Sequence, residues 1–206
     1  MIFKTIFEDI RAIYRNDPAA KNIEFLLYPG FHAVFVHRFI HPLYKIGIPF
    51  IPRLISQISR FFTMVEIHPG AKIGQGFFID HGAGIVIGET AEIGENCVLF
   101  HNVTLGGTGK HGGKRHPTIG NNVVIGTGAI LLGPLTVGDN VNIGANTFLY
   151  MVDIPADATV VGTPGYITRL NGRPVNIKPN KTNVPPDRVI GNGRTLEQEI
   201  TANKSR

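Results

Sequence analysis

An aliphatic residue returns every sixth position between Ile67 and Ile167, and few folds accept such a period. Ile67, Ile73, Ile79 and Ile85 set one register, and a two-residue slip restarts it at Ile87, Ile93, Leu99 and Leu105. An interruption of eleven to thirteen residues follows. The count resumes at Ile119, Ile125, Leu131, Val137, Ile143 and Leu149, with Val161 and Ile167 still in phase. An amphipathic helix needs apolar residues every three or four positions, and a half-buried strand needs every second. A period of six fits a solenoid of short strands and turns stacked coil upon coil. Each repeat is expected to place one aliphatic side chain inside, while nearby Gly and Asn residues adopt the turn dihedrals. The fold class expected is an all-β solenoid, a parallel β-helix, with an α-helical cap before it.

Residues 1–62 form that expected cap. Phe3, Ile6, Phe7, Ile10 and Ile13 follow helical spacing. Asp17-Pro18 reads as an N-cap and first-turn proline, opening a helix to about Tyr28. Pro29-Gly30 breaks it, Phe31 to Ile40 is an apolar helix, and Pro52 starts another running to Phe62. The cap would shield the first coil, which is otherwise an open strand edge. Residues 63–170 are the β-helix, with 106–117 as an inserted loop rich in glycine and cations. Such loops on a rigid scaffold are where chemistry concentrates. Periodicity stops after Leu170, so 171–206 read as a polar tail.

The net charge of +5 raises the question of nucleic acid. No recognition helix or aromatic RNA-binding motif accompanies it, so a small anionic ligand fits better. The single cysteine, Cys97, excludes an internal disulfide and suits a reducing compartment. Charged residues in the first ten positions argue against a signal peptide, and no uncharged run reaches the ~18 residues of a membrane span. A cytoplasmic chain with no membrane and no nucleic-acid partner is expected.

Several segments carry a more specific message. They are Glu66-Ile67-His68-Pro69-Gly70, Asp80-His81, Gly88-Glu89-Thr90, Thr104-Leu105-Gly106-Gly107-Thr108-Gly109-Lys110 and Arg115-His116-Pro117. Asp17-Pro18-Ala19 and Gly30-Phe31-His32-Ala33 lie upstream. Together they resemble serine O-acetyltransferase, a hexapeptide-repeat acyltransferase family, from about residue 10 to 170. The resemblance implies a left-handed β-helix, an exception to the usual crossover hand. It also implies acetyl transfer from acetyl-CoA to the hydroxyl of L-serine, the first step of cysteine biosynthesis, with acetyl-CoA as co-substrate and no metal.

The resemblance assigns roles residue by residue. His81 becomes the general base that takes the serine hydroxyl proton, since a neutral hydroxyl is a poor nucleophile. Glu66 stands where the family usually has aspartate orienting that histidine; the extra methylene still allows it to reach an imidazole nitrogen. Asp17 and Asp80 suit the serine ammonium. Arg115 would grip the serine carboxylate, which a guanidinium binds bidentately, and His116 would line the same pocket. Gly107 and Thr108 would meet acetyl-CoA through backbone, and Thr127 and Ala145 occupy positions facing its pantetheine and adenine parts. Asn142 stands where some relatives have lysine, and Lys110 and Lys114 add positive potential. Glu89 reads as a solvated turn residue and receives no catalytic role.

Partners follow from the same resemblance: a homotrimer with the acyl-CoA site between neighbours, and L-cysteine as feedback inhibitor in the serine pocket. The first helices of longer relatives are missing, which leaves pairing into a hexamer open. Many relatives end in an isoleucine that enters O-acetylserine sulfhydrylase. This chain ends in Ser205-Arg206, and an apolar pocket would have to desolvate a guanidinium, which argues against that complex. Three other readings compete. One is the same fold acting on homoserine or a sugar. Another is a γ-carbonic-anhydrase-like metalloenzyme using His81, His101 and His111 or His116. The last is a non-catalytic scaffold.

Overall fold

The computed structural model describes residues 2–109 and 112–179. Its body is a parallel solenoid with three faces. One face stacks Glu66–Ile67, Val86–Ile87, Thr104–Gly106, Ile130–Leu132 and Phe148–Tyr150. A second stacks Lys72–Ile73, Glu92–Ile93, Thr118–Ile119 and Thr136–Val137. The third begins with Phe78–Ile79, Val98–Leu99, Val124–Ile125 and Asn142–Ile143. The chain visits the faces in that order, one repeat each, so every coil sits on the last through parallel pairing.

Two side chains per repeat point inward, not one. Besides the aliphatic series, the residues two positions earlier are buried: Val65, Ala71, Phe77, Ile85, Ala91, Cys97, Val103, Val123, Ala129, Leu135 and Val141. In a strand, residues two apart share a face, which makes the second series a consequence of the first. This also explains the slip. Ile85 belongs to the second series, two before Ile87. Glu66 pairs with Val86, two residues further on than three repeats allow, so the surplus lies in the bend that carries Asp80 and His81. At the other end Val161 points outward at 40% exposure, and Val160 fills the core instead. The coil from Leu149 to Val160 is shorter than the count of six predicts. Left-handed backbone recurs at the turns through Asn96, Asn102, Asn122, Asn140 and Asn146, and asparagine adopts it more readily than larger residues do. Asn122 donates to Asn140, and Asn140 to Asp157, tying successive coils together.

Three helices precede the solenoid: α1 (Ile2–Asn16), α2 (Pro29–Lys45) and α3 (Ile51–Thr63). The expected helix from Pro18 to Tyr28 does not form. Asp17 follows the end of α1, and its side chain accepts the Ala19 N–H at 2.8 Å in a local turn that competes with helix entry. Only Glu24–Leu27 makes a short 3-10 turn. Pro29, read as a breaker, instead opens α2, where its missing N–H and fixed φ cost nothing. The helices are pinned to the coils by a buried pair: Arg38 of α2 grips both carboxylate oxygens of Asp9 of α1 at 3.0 Å. Asp9 also accepts the Phe77 N–H at 3.0 Å, and Arg38 donates to the carbonyls of Ile73 and Gly74. Burial pushes the Asp9 carboxyl above its usual range even though Arg38 pulls it down.

Beyond Leu170 the structure departs from the expected tail. Tyr166–Leu170 turns through Asn171-Gly172 into Arg173–Ile177, antiparallel, and the pair extends the third face. Asn-Gly is a strong hairpin signal, and the buried Ile177 joins the core. The chain terminus with Ile200 and Arg206 lies outside the described residues. No helix among the described residues is long and apolar enough to cross a membrane.

Candidate active site

The enlarged bend between the third and first faces presents His81. Its backbone is left-handed, φ 61°, and its side chain stands 72% exposed. The Nε2 atom lies 3.8 Å from Asp80 Oδ1. One coil further, the His101 ring meets the His81 ring edge to face at 5.7 Å, and His101 Nδ1 is 2.9 Å from Thr127 Oγ1. Asp17 arrives from the end of α1. Its carboxylate is held below the usual range, chiefly by the Tyr28 hydroxyl, then by the Ala19 N–H, with a smaller pull from the His81 imidazole. Tyr28 is pushed up to about 12, first by its bond to Asp17, with Asp80 contributing. The bend thus brings Asp17, Asp80 and His81 into one cluster with Tyr28 and His101. Thr127 and Ala145 stand on the same edge of the solenoid in higher coils, Ala145 exposed. Asn142 is exposed on the third face.

A second group occupies the edge between the first and second faces, where the inserted loop returns. Arg115 makes an ion pair with Glu89, and Glu89 also accepts the Tyr44 hydroxyl at 2.8 Å. Those two donors hold the Glu89 carboxyl below its usual range, Tyr44 having the larger effect. Thr90 anchors the loop. Its Oγ1 accepts the N–H groups of Arg115 and His116 at 3.0 and 3.2 Å, and its carbonyl accepts Lys114 Nζ at 2.7 Å. His116 is buried, and that burial, aided by Arg115, pulls its pKa down. Gly107 packs closely against Arg115 and His116: an added Cβ would sit 3.1 Å from the Arg115 carbonyl oxygen. Lys110 and His111 lie outside the described residues.

Glu66 makes no hydrogen bond or ion pair with His81. Its two oxygens pair with Arg53 and Arg60 of α3, each at 3.2 Å. It begins a strand of the first face, and the bend that carries His81 closes the same coil. Within one chain, then, the expected carboxylate–histidine pair is not made. No hydrogen bond or ion pair among the described residues joins the His81 group to the Arg115 group. A short strand of the first face, roughly 7–10 Å long at about 3.3 Å per residue, lies between them. The metal set fares similarly: His116 stands on the other edge from His81 and His101. Sequence reasoning missed Glu89 as a ligand of Arg115, along with Tyr44, Tyr28 and Thr90. Glu89 and Thr90 were within a matched segment, but pairing across coils is invisible until the register is known.

A solenoid of hexapeptide coils with an inserted basic loop and a histidine on an enlarged bend defines the hexapeptide-repeat transferase class. The family model "Bacterial transferase hexapeptide (six repeats)" matches residues 116–150. Over 203 residues the chain is 53% identical to a serine acetyltransferase of Synechococcus elongatus, covering 98% of this chain and 82% of that protein. Over 202 residues it is 50% identical to the Bacillus subtilis serine acetyltransferase, covering 97% and 92%. The crystal structure of Neisseria gonorrhoeae serine acetyltransferase superposes with a TM-score of 0.80 at 41% identity, over 82% of this chain and 67% of that one. The same gonococcal protein has been solved in complex with serine, and another serine acetyltransferase in complex with cysteine. The chain belongs to the serine acetyltransferase family, whose β-helix is left-handed.

Proposed function

We propose that the chain transfers the acetyl group of acetyl-CoA to the hydroxyl of L-serine, giving O-acetyl-L-serine and CoA. The observation that carries this reading is the Asp80–His81 bend: a solvent-facing imidazole flanked by Asp17 and Asp80, in a chain about half identical to serine acetyltransferases. His81 accepts the hydroxyl proton as the serine oxygen attacks the thioester carbonyl carbon. The tetrahedral adduct collapses, the C–S bond breaks, and the proton passes to the departing CoA sulfur. Asp17 and Asp80 receive the serine ammonium. Arg115 takes the carboxylate with His116 beside it, leaving acetyl-CoA along the edge carrying Thr127 and Ala145 and against Gly107 and Thr108.

One chain holds these groups on two edges, and this supports a site completed between copies. In a ring of three, the His81 edge of one copy faces the Arg115 edge of the next. Phe61 and Phe62 of α3, 80% and 77% exposed, offer apolar surface near Glu66 for such packing. The same ammonium and carboxylate contacts accept L-cysteine, so inhibition competitive with serine follows. Homoserine or a sugar remains the alternative acceptor; a guanidinium set for a carboxylate favours an amino acid over a sugar. The test is thiol release from acetyl-CoA with a panel of hydroxyl amino acids and sugars. Turnover with serine well above the rest supports the reading, and a sugar as best acceptor overturns it.

A further inference from the structure

We propose that Thr90 is a positioning residue that fixes His116 in its Nε2–H tautomer, so that His116 offers the site a hydrogen-bond donor and not a base. This deepens the reading just given, which places His116 beside the acceptor's carboxylate.

Two donors of Thr90 face one nitrogen of the His116 ring. The Thr90 N–H points at His116 Nδ1 from 3.2 Å, and a backbone N–H can only donate. That longer contact favours an unprotonated Nδ1 without fixing it. The Thr90 hydroxyl, the closer donor, fixes it. Its oxygen already accepts two N–H groups, from Arg115 and His116. That uses both acceptor positions, leaving the O–H proton for His116 Nδ1 at 2.8 Å. Two donors from one residue converge on one ring nitrogen, and a neutral imidazole with unprotonated Nδ1 carries its hydrogen on Nε2.

The far side of the ring is shaped to match. A Cβ added to Gly88 would sit 2.1 Å from His116 Nε2, and one added to Gly107 would sit 3.1 Å from it. The ring thus lies over Gly88, with its Nε2 edge beside Gly107 on the loop that also carries Arg115. A donor there suits a carboxylate oxygen, and an acceptor there would repel one. With Thr90 replaced, Nδ1 has only the weaker N–H contact, and the ring is free to take the other tautomer or rotate.

The test compares Thr90→Val, which keeps the shape and removes the hydroxyl, with Thr90→Ser, which restores it. The first readout is the ring 15N spectrum of His116 in ligand-free protein labelled at histidine, assigned through the loss of its signals in His116→Gln. It needs no substrate, so it stands or falls separately from the choice of acceptor. Wild type and Thr90→Ser should show Nδ1 unprotonated and Nε2 protonated. Thr90→Val should show loss of the single tautomer. The second readout is kinetic: Thr90→Val should raise KM for serine by about tenfold, the scale of one lost hydrogen bond, with kcat less affected and Thr90→Ser near wild type. An unchanged His116 spectrum in folded Thr90→Val overturns the proposal. So does a wild-type spectrum with Nδ1 protonated, whatever the kinetics. If Thr90→Val does not fold, the wild-type and Thr90→Ser spectra still decide the tautomer.

Discussion

Arg115 rests on Glu89, and the other oxygen of that carboxylate accepts the phenol of Tyr44. The guanidinium is therefore oriented before any ligand arrives. Only one of its nitrogens is used by Glu89, so further donors stay free for a carboxylate. Glu89→Ala should raise KM for serine by about tenfold, the cost of losing a charge-assisted hydrogen bond. KM for acetyl-CoA should move much less. Steady-state kinetics with each substrate varied checks this, and an equal rise in both constants would refute the orienting role.

The same contact has a pH signature. Glu89 is held below its usual range, so its contribution is complete above the ordinary glutamate value and is lost as pH falls through the depressed one. Serine affinity through this contact should be flat at neutrality and fall only in acid. Replacing Glu89 with Gln should flatten that acid limb, as binding measured by calorimetry across pH would show.

His81→Ala should lower turnover at least about 100-fold, the scale of losing a general base, with circular dichroism unchanged. Near-native turnover would remove His81 from the mechanism. Glu66→Gln should cost less, because its reach is kept and only the charge is lost.

A shared site makes a further prediction. His81→Ala and Arg115→Ala subunits should each be inactive as homo-oligomers, and refolding them together should restore part of the activity. Light scattering should give a trimer. A stable monomer, or no recovery on mixing, would mean that the site closes within one chain.

Arg38→Ala should destabilise the fold by about 3–5 kcal/mol, because it strands the buried Asp9 carboxylate. Chemical denaturation measures this. A loss under about 1 kcal/mol would show that the helices are anchored mainly by apolar packing.

Much of this molecule was legible because a period of six leaves few folds, and the two-residue slip marked the bend that carries His81. The second inward series was implicit in strand geometry and was overlooked, since Ala71, Ala91 and Cys97 are too small to stand out in a hydrophobic pattern. Asp17-Pro18 misled for a local reason: an aspartate that caps a helix and one that closes a short turn look alike before the preceding helix is seen to end at Asn16. The Glu66 assignment came from a motif that compares chains position by position. Its actual partners, Arg53 and Arg60, come from a helix whose docking no motif records. The Asn171-Gly172 hairpin was readable, but the end of the periodicity drew attention away from it.

Two features carry the proposed chemistry: serine as the acceptor and His81 as its base. Thiol release from acetyl-CoA, followed with L-serine, homoserine and sugars for wild type and His81→Ala side by side, tests both at once. Serine-dependent release by wild type, at least about 100-fold slower in the variant, is the predicted result. Equal rates in the two proteins, or release that another acceptor supports better than serine, would contradict it.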